Sequence, residues 1–166
     1  FYFNGDFHWY VAASKFNSSF EPFSIAKAEI GYAFSLSDRL SANITAEGGF
    51  KLGDNTTPYL DFAIGGYGQN FINNFSSFYG YDYVSLTGNS YVKSTFSLDY
   101  EIFNKNHIMF AANYANIEDN LFDTGGWIQK VDYSGYAIGY GLETFIGPLE
   151  VKYTYSPEIK RSIWFF

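Results

Sequence analysis

Apolar and polar residues alternate along most of this chain with a period of two. From Ala26 to Leu36 every second residue is apolar, and the same pattern runs from Leu40 to Leu52. Successive side chains of a β-strand point to opposite faces, so this period predicts strands with one apolar and one polar face. Only Ser37-Asp38-Arg39 separates the two stretches, which predicts an antiparallel hairpin.

The alternation predicts nine strands and no convincing helix. They are 1–14, 26–36, 40–52, 59–70, 91–103, 107–117, 133–146, 149–156 and 162–166. Several are 11 to 14 residues long, whereas strands of soluble proteins have a mode of about 5–6 residues. A tilted strand needs about 9–11 residues to cross a bilayer. The strand lengths therefore favour an all-β, antiparallel transmembrane barrel.

Alternation alone also fits a soluble β-barrel that carries apolar ligands inside. The polar face separates the two cases, because here it is rich in Gly, Ala, Ser, Thr and Asn with only scattered charges. Charged residues make up 16% of the chain and aromatic residues 23%, against about 25% charged in a soluble domain. Large aromatic residues near strand ends are typical of interfacial girdles. These features favour the membrane barrel.

Other features predict that this is part of a larger barrel. No run of about 18 apolar residues predicts a transmembrane helix, and no signal peptide is visible at the N-terminus. The predicted strand number is odd and the last strand is too short to span, whereas single-chain bacterial barrels have even strand numbers. We therefore expect missing strands, or a second barrel subunit, to complete the barrel.

Connection lengths predict an orientation. The tight turns are 104–106 and 147–148, and the long connections are 71–90 and 118–132. Long loops of outer-membrane barrels face outside and short turns face the periplasm. This rule orients the last strand as expected, but it puts the tight turn at 37–39 outside and the longer segment 15–25 in the periplasm. A missed or extra strand near the start would explain the conflict.

Charged residues lie on the predicted polar faces, where opposite charges on neighbouring strands can pair. We expect a salt-bridge network in the lumen, built from Lys27, Glu29, Glu47, Lys51, Lys93, Asp99, Glu101 and Glu143. His8 and His107 are the only histidines, and neither has a local partner motif, so we predict no catalytic site.

Composition limits the remaining chemistry. Cysteine is absent, which excludes disulfides and thiolate metal sites. Asp119 and Asp123 lack the spacing of a calcium-binding loop. We therefore expect no metal and no cofactor. The net charge of −7 argues against nucleic acid as a partner.

From Tyr59 onward the residues resemble BamA-like sixteen-stranded outer-membrane barrels. In those barrels a strand ending in Gly-Gly, as at Gly65-Gly66, leads to a long loop that folds back into the lumen. That loop carries an aromatic-Gly-aromatic signature, here Phe78-Tyr79-Gly80-Tyr81. The resemblance implies that the chain supplies roughly the last nine of sixteen strands. BamA-like loops usually carry an arginine in this motif, paired with an acidic residue of the wall, and this chain has no such arginine.

A closer similarity is to the barrel of bacterial patatin-like outer-membrane phospholipases. It rests on the segments 98–103, 113–116 and 145–150. The chemistry of that family lies in an N-terminal α/β domain with a Gly-x-Ser-x-Gly turn, which this chain lacks. The resemblance implies a barrel that anchors or helps to export a lipase domain. The alternative is a stand-alone outer-membrane channel or adhesin without enzyme activity.

The same resemblance implies where the protein works and what it meets. A barrel of this kind lies in the bacterial outer membrane. Its expected partners are outer-membrane lipid and lipopolysaccharide, together with the barrel-assembly machinery during insertion.

Overall fold

The computed structural model describes residues 1–10, 22–53, 60–68, 74–128 and 130–165. These residues form eleven strands: β1 (Tyr2–Tyr10), β2 (Phe23–Ser37), β3 (Leu40–Gly53), β4 (Phe62–Ile64), β5 (Phe75–Ser76), β6 (Leu86–Gly88), β7 (Ser90–Phe103), β8 (Asn106–Glu118), β9 (Tyr133–Thr144), β10 (Gly147–Ser156) and β11 (Arg161–Phe165). Eight of them build one sheet in the order β1-β2-β3-β7-β8-β9-β10-β11, and all its neighbours are antiparallel. The predicted all-β, antiparallel architecture is confirmed.

The predicted membrane strand at 59–70 is wrong. Only Phe62–Ile64 of that range is a strand, and β4 belongs to a separate three-stranded sheet, where it pairs with β5 in parallel and with β6 antiparallel. Gly65 and Gly66 end β4 with φ angles of 147° and 67°, a conformation that glycine adopts without steric penalty. Residues 59, 69 and 70 lie outside the described part. The main sheet therefore has eight strands instead of nine.

Removing that strand also removes the conflict over orientation. The turns Asp38–Arg39, Asn104–Lys105 and Phe145–Ile146 now lie at one end of the main sheet. The strand ends at Tyr10, Gly53, Glu118 and Ser156, where the longer connections begin, lie at the other end. The rule for outer-membrane barrels would make the first end periplasmic and the second external, and we name the two ends accordingly.

Several element bounds differ from those predicted. The turn between β9 and β10 lies at Phe145–Ile146, because Gly147 and Pro148 already pair with Thr144 and Glu143. The predicted loop 118–132 contains a short helix, α1 (Leu121–Thr124), and a 3-10 turn, Gly126–Ile128. Within the described ranges, no helix is long and apolar enough to cross a membrane.

The two faces of the main sheet differ in what covers them. The inner face, which carries Lys27, Glu47 and Lys93, packs against the small sheet. A buried core lies between them, made of Phe23, Ile25, Phe62, Ile64, Phe78, Tyr81, Tyr91, Ala115 and Ile117. The outer face exposes large apolar side chains such as Phe96 and Ile138. Such an apolar outer band is what a lipid-facing wall needs.

Candidate functional site

The described residues between β3 and β7, 60–68 and 74–89, lie against the inner face, and we call them the insert. It contains the small sheet and the motif Phe78-Tyr79-Gly80-Tyr81. Its contacts reach strands β3 and β7 to β10, and the rings of Tyr67 and Tyr83 also meet that of Phe165 in β11. The insert therefore bridges most of the inner face.

The motif forms the part of the insert that touches β8. The backbone N–H of Tyr79 donates a hydrogen bond to Asn113 Oδ1 over 2.9 Å. Phe78 is 1% exposed, and its ring lies 5.4 Å from that of Tyr81. A neutral amide and a backbone donor thus meet here, instead of an arginine and a carboxylate.

Two glycines allow the motif to lie this close to the wall. Gly80 has a φ of 84°, and a Cβ there would lie 2.8 Å from the carbonyl carbon and oxygen of Tyr155. A Cβ on Gly135 of β9 would lie 1.8 Å from the carbonyl oxygen of Tyr79. Since both obstacles are backbone atoms, neither can move aside without displacing a strand or the insert.

A buried charge cluster joins the insert to β2, β3 and β7. Glu47 forms ion pairs with Lys27 (3.0 Å) and Lys93 (2.7 Å). Ser76 of the insert donates a hydrogen bond to Glu47 over 3.0 Å, and the hydroxyl of Tyr91 donates another. Lys93 in turn donates to Ser76 and, over 3.1 Å, to the backbone oxygen of Ser77. The cluster holds the strand β5 of the insert against the wall.

A second set of contacts holds the other end of the insert to β10. Lys152 Nζ lies 2.7 Å from Glu150 Oε2 and 4.0 Å from the centre of the Tyr67 ring. The Tyr67 hydroxyl donates to Glu150 over 2.5 Å. Burial and this hydrogen bond raise the pKa of Tyr67 above its ordinary value, so the hydroxyl stays protonated. At the opposite side Lys51 pairs with Asp61 over 3.3 Å.

At the external end Glu158 ties the insert to the turn between β10 and β11. Its carboxylate accepts hydrogen bonds from Tyr81 (3.1 Å), Ser134 (2.6 Å) and Ser156 (2.9 Å). Burial alone would raise the pKa of Glu158, but the hydroxyl and backbone donors around it hold the pKa below its ordinary value. For Tyr81, burial and the neighbouring Glu158 raise the pKa to about 12.

The lowered pKa of Glu158 predicts that acid loosens the motif. A lowered folded-state pKa contributes stability above the ordinary value of 4.5, and this contribution is lost as the pH falls through the lower, folded-state pKa. Hydrogen–deuterium exchange of amides 78–81, corrected for intrinsic rates, should therefore accelerate below pH 4.5. Glu158→Gln keeps an acceptor without this titration and should lack the acceleration. The same acid response in both proteins would show that Glu158 does not hold the motif.

The expected network of lumenal charges divides into two groups. Glu47, Lys27, Lys51 and Lys93 lie around the insert. The other four charges also belong to the inner face but interact elsewhere. Glu29 accepts a hydrogen bond from the Tyr2 hydroxyl over 2.9 Å, and Glu101 accepts one from the backbone N–H of Lys105 over 3.1 Å. Asp99 and Glu143 lie 2.7 Å and 3.9 Å from the ring nitrogens of His107. The charges therefore do not form one continuous network.

Among the described residues, the contacts of the two histidines form no arrangement typical of nucleophilic catalysis. His8 is on the inner face of β1, with its ring 6.4 Å from that of Tyr10. His107 lies near the periplasmic end beside Asp99 and Glu143. Asp119, weighed above as a calcium ligand, accepts the backbone N–H of Asn89 over 3.0 Å and so braces the base of the insert.

Several residues that hold the insert and the wall together were not singled out from the sequence. They are Tyr67, Ser76, Tyr91, Asn113, Gly135 and Glu158. The alternation puts Tyr91, Asn113 and Gly135 on the polar face, which is the signal that could have found them. Nothing local to the sequence marks the other three, because their contacts depend on how the insert folds across distant strands.

Comparison with known proteins supports the barrel. A sequence-family model described as the OMP85 superfamily matches residues 1–166, the full length given. No curated protein matches the chain.

Proposed function

Because the chain belongs to the OMP85 superfamily of bacterial outer-membrane β-barrels, we propose that it is the C-terminal part of such a barrel, serving as the membrane anchor or export domain of a patatin-like phospholipase. The observation that carries the anchoring role is the insert. Charged and polar groups of the wall, notably Glu47, Lys93 and Asn113, are engaged in holding the insert to the inner face. Because these groups hold the insert in place, they support a structural role for the inner face of the barrel.

The attachment to a lipase rests on the resemblance of segments 98–103, 113–116 and 145–150 to the barrels of patatin-like phospholipases. In this proposal Gly-x-Ser-x-Gly chemistry lies upstream of the barrel. The eight strands described here would be the last eight of sixteen, paired through the edge strands β1 and β11 with strands outside this sequence. An even total fits the rule for single-chain barrels.

The test is to purify the native gene product from outer membranes in mild detergent and measure its intact mass. We expect a mass far above 18.9 kDa, an upstream Gly-x-Ser-x-Gly peptide, and esterase activity that is lost when that serine becomes alanine. His107→Ala, within the barrel, is the control and should keep the activity. A mass near 18.9 kDa, or a long product without this motif and activity, would overturn the lipase attachment.

A stand-alone channel is the second candidate, favoured by one observation. Between the insert and the periplasmic end, the inner face keeps polar groups, including Asp99, His107 and Glu143, that do not hold the insert. Planar-bilayer recordings decide between the two. Stable single-channel conductance from the wild-type protein, with no esterase activity, would favour the channel over the anchor.

A further inference from the structure

The outer face of the main sheet has a groove over strands β7 to β10. Its volume is about 440 Å³, with Ala112 at its floor and Phe96, Phe110, Tyr136, Ile138 and Tyr155 among the side chains around it. Ligand-binding clefts of proteins usually measure about 300–1,000 Å³. The groove is therefore large enough to hold part of a ligand.

The register of the strands explains why the groove forms. Ala112 pairs with Phe96 on one side and with Tyr136 on the other, and Tyr136 pairs with Tyr155. One small side chain thus lies in a row of three large ones. The next outward-facing row contains Phe110 and Ile138, which extend the walls along the strand direction.

Two tyrosine hydroxyls lie close together toward the external end of the groove. The hydroxyls of Tyr114 and Tyr136 lie 3.4 Å apart, with their rings edge to face. Tyr114 is two residues closer to the external end of β8 than Ala112 is, about 7 Å along a strand. The hydroxyl of Tyr153, which also lines the groove, is engaged with Ser162 over 2.6 Å.

We propose that this groove binds one acyl chain of a lipid in the outer leaflet. The chain lies over Ala112, and the polar part of the lipid lies near the hydroxyls of Tyr114 and Tyr136. An acyl chain fits because the groove faces away from the insert, is lined by apolar atoms and opens on the face that meets the membrane. Aromatic residues with a hydroxyl are suited to the boundary between acyl chains and headgroups.

The groove distinguishes this site from the general lipid contact of the outer face. Ala46 is also a small outward-facing residue, but it pairs with Ser94 on one side and Ile30 on the other and does not line the groove. The residues directly opposite Ala46 are thus an isoleucine and a serine, whereas those opposite Ala112 are both aromatic. Filling the two positions with the same side chain therefore separates specific binding from ordinary solvation by lipid.

The experiment compares wild type, Ala112→Phe and Ala46→Phe by native mass spectrometry. The full-length gene product is purified from outer membranes and titrated with dipalmitoyl phosphatidylethanolamine or with lipid A. Wild type and Ala46→Phe should each retain one lipid, and Ala112→Phe should bind it about tenfold more weakly, the effect of losing contact with about two methylenes. We expect this difference with lipid A, the lipid of the outer leaflet, and a difference seen only with the phosphatidylethanolamine would overturn the proposed source of the chain. Equal retention by the three proteins with both lipids would overturn the proposal.

A second variant covers the case in which Ala112→Phe does not fold. The double variant Tyr114→Phe, Tyr136→Phe keeps the shape of the groove and removes both hydroxyls, so it should also weaken retention, and unchanged retention would contradict the proposed position of the headgroup. The inference rests on the sheet spanning an outer membrane and not on an attached lipase. Extraction of the protein from membranes by carbonate, without detergent, would refute the membrane placement separately from the groove.

Discussion

Replacing Glu47 with alanine should lower the free energy of unfolding by about 3–5 kcal/mol, the usual effect of removing one partner from a buried ion pair. Lys93 and Lys27 would lose their common counter-charge, with side chains that are only 6% and 15% exposed. Ser76 and Tyr91 would lose an acceptor as well. Urea unfolding in detergent micelles measures the change.

The same substitution should release the insert before it unfolds the barrel. Ser76 is bound to both Glu47 and Lys93, so the loss of Glu47 removes one of these bonds. It also leaves Lys27 and Lys93 beneath β5 as two like charges that repel each other. Limited chymotrypsin digestion should then cut after Tyr79 or Tyr81 faster than in wild type. Planar-bilayer recordings should show a larger conductance if the insert closes the lumen.

Two variants test this explanation. Glu29→Ala removes a carboxylate from the same face. Among the contacts described, Glu29 accepts only an exposed hydrogen bond from Tyr2, so this change should lower the free energy of unfolding by less than about 1 kcal/mol. Adding Lys93→Met to Glu47→Ala removes one uncompensated charge and should restore part of the lost stability. If Glu47→Ala lowers the free energy of unfolding no more than Glu29→Ala does, the cluster does not hold the insert.

The alternation of the sequence predicted the wall well because it reports directly on which side chains face lipid. Seven of the predicted strands differ from the observed ones mainly at their ends, and β1 is described only as far as Tyr10. The error at 59–70 has a physical reason. The small sheet of the insert is also apolar on one face, so Phe62 and Ile64 alternate as membrane strands do. The sequence already gave a reason to doubt this strand, because counting it put the tight turn at Asp38–Arg39 outside, where long loops are expected.

The site was only partly predictable. The resemblance identified the motif Phe78–Tyr81, and the alternation placed Glu47 and Lys93 on one face. Which residues would meet the motif depended on the register of β8 and β9 and on the path of the insert. Asn113 and Gly135 pair directly with each other across those strands, a fact that no local pattern contains. Tertiary placement, rather than composition, thus selects the partners.

Gly135→Ala should displace the motif from the wall, whereas Gly141→Ala should leave the motif in place. Both glycines belong to the inner face of β9, and neither has a positive φ. In a strand, alanine is favoured over glycine by about 0.5–1 kcal/mol, so Gly141→Ala should be neutral or stabilising. There the new Cβ meets the flexible end of Met109 at 3.1 Å.

At Gly135 the new Cβ would instead lie 1.8 Å from the backbone oxygen of Tyr79. Overpacking of this kind costs about 1–3 kcal/mol, which exceeds the local gain, so the net effect should be destabilising. The insert is the part able to move, because β9 is held on both sides by β8 and β10. Hydrogen–deuterium exchange at amides 79–81 should rise in Gly135→Ala and stay at the wild-type level in Gly141→Ala. Equal exchange in the two variants would mean that the motif does not pack on β9 in the folded protein.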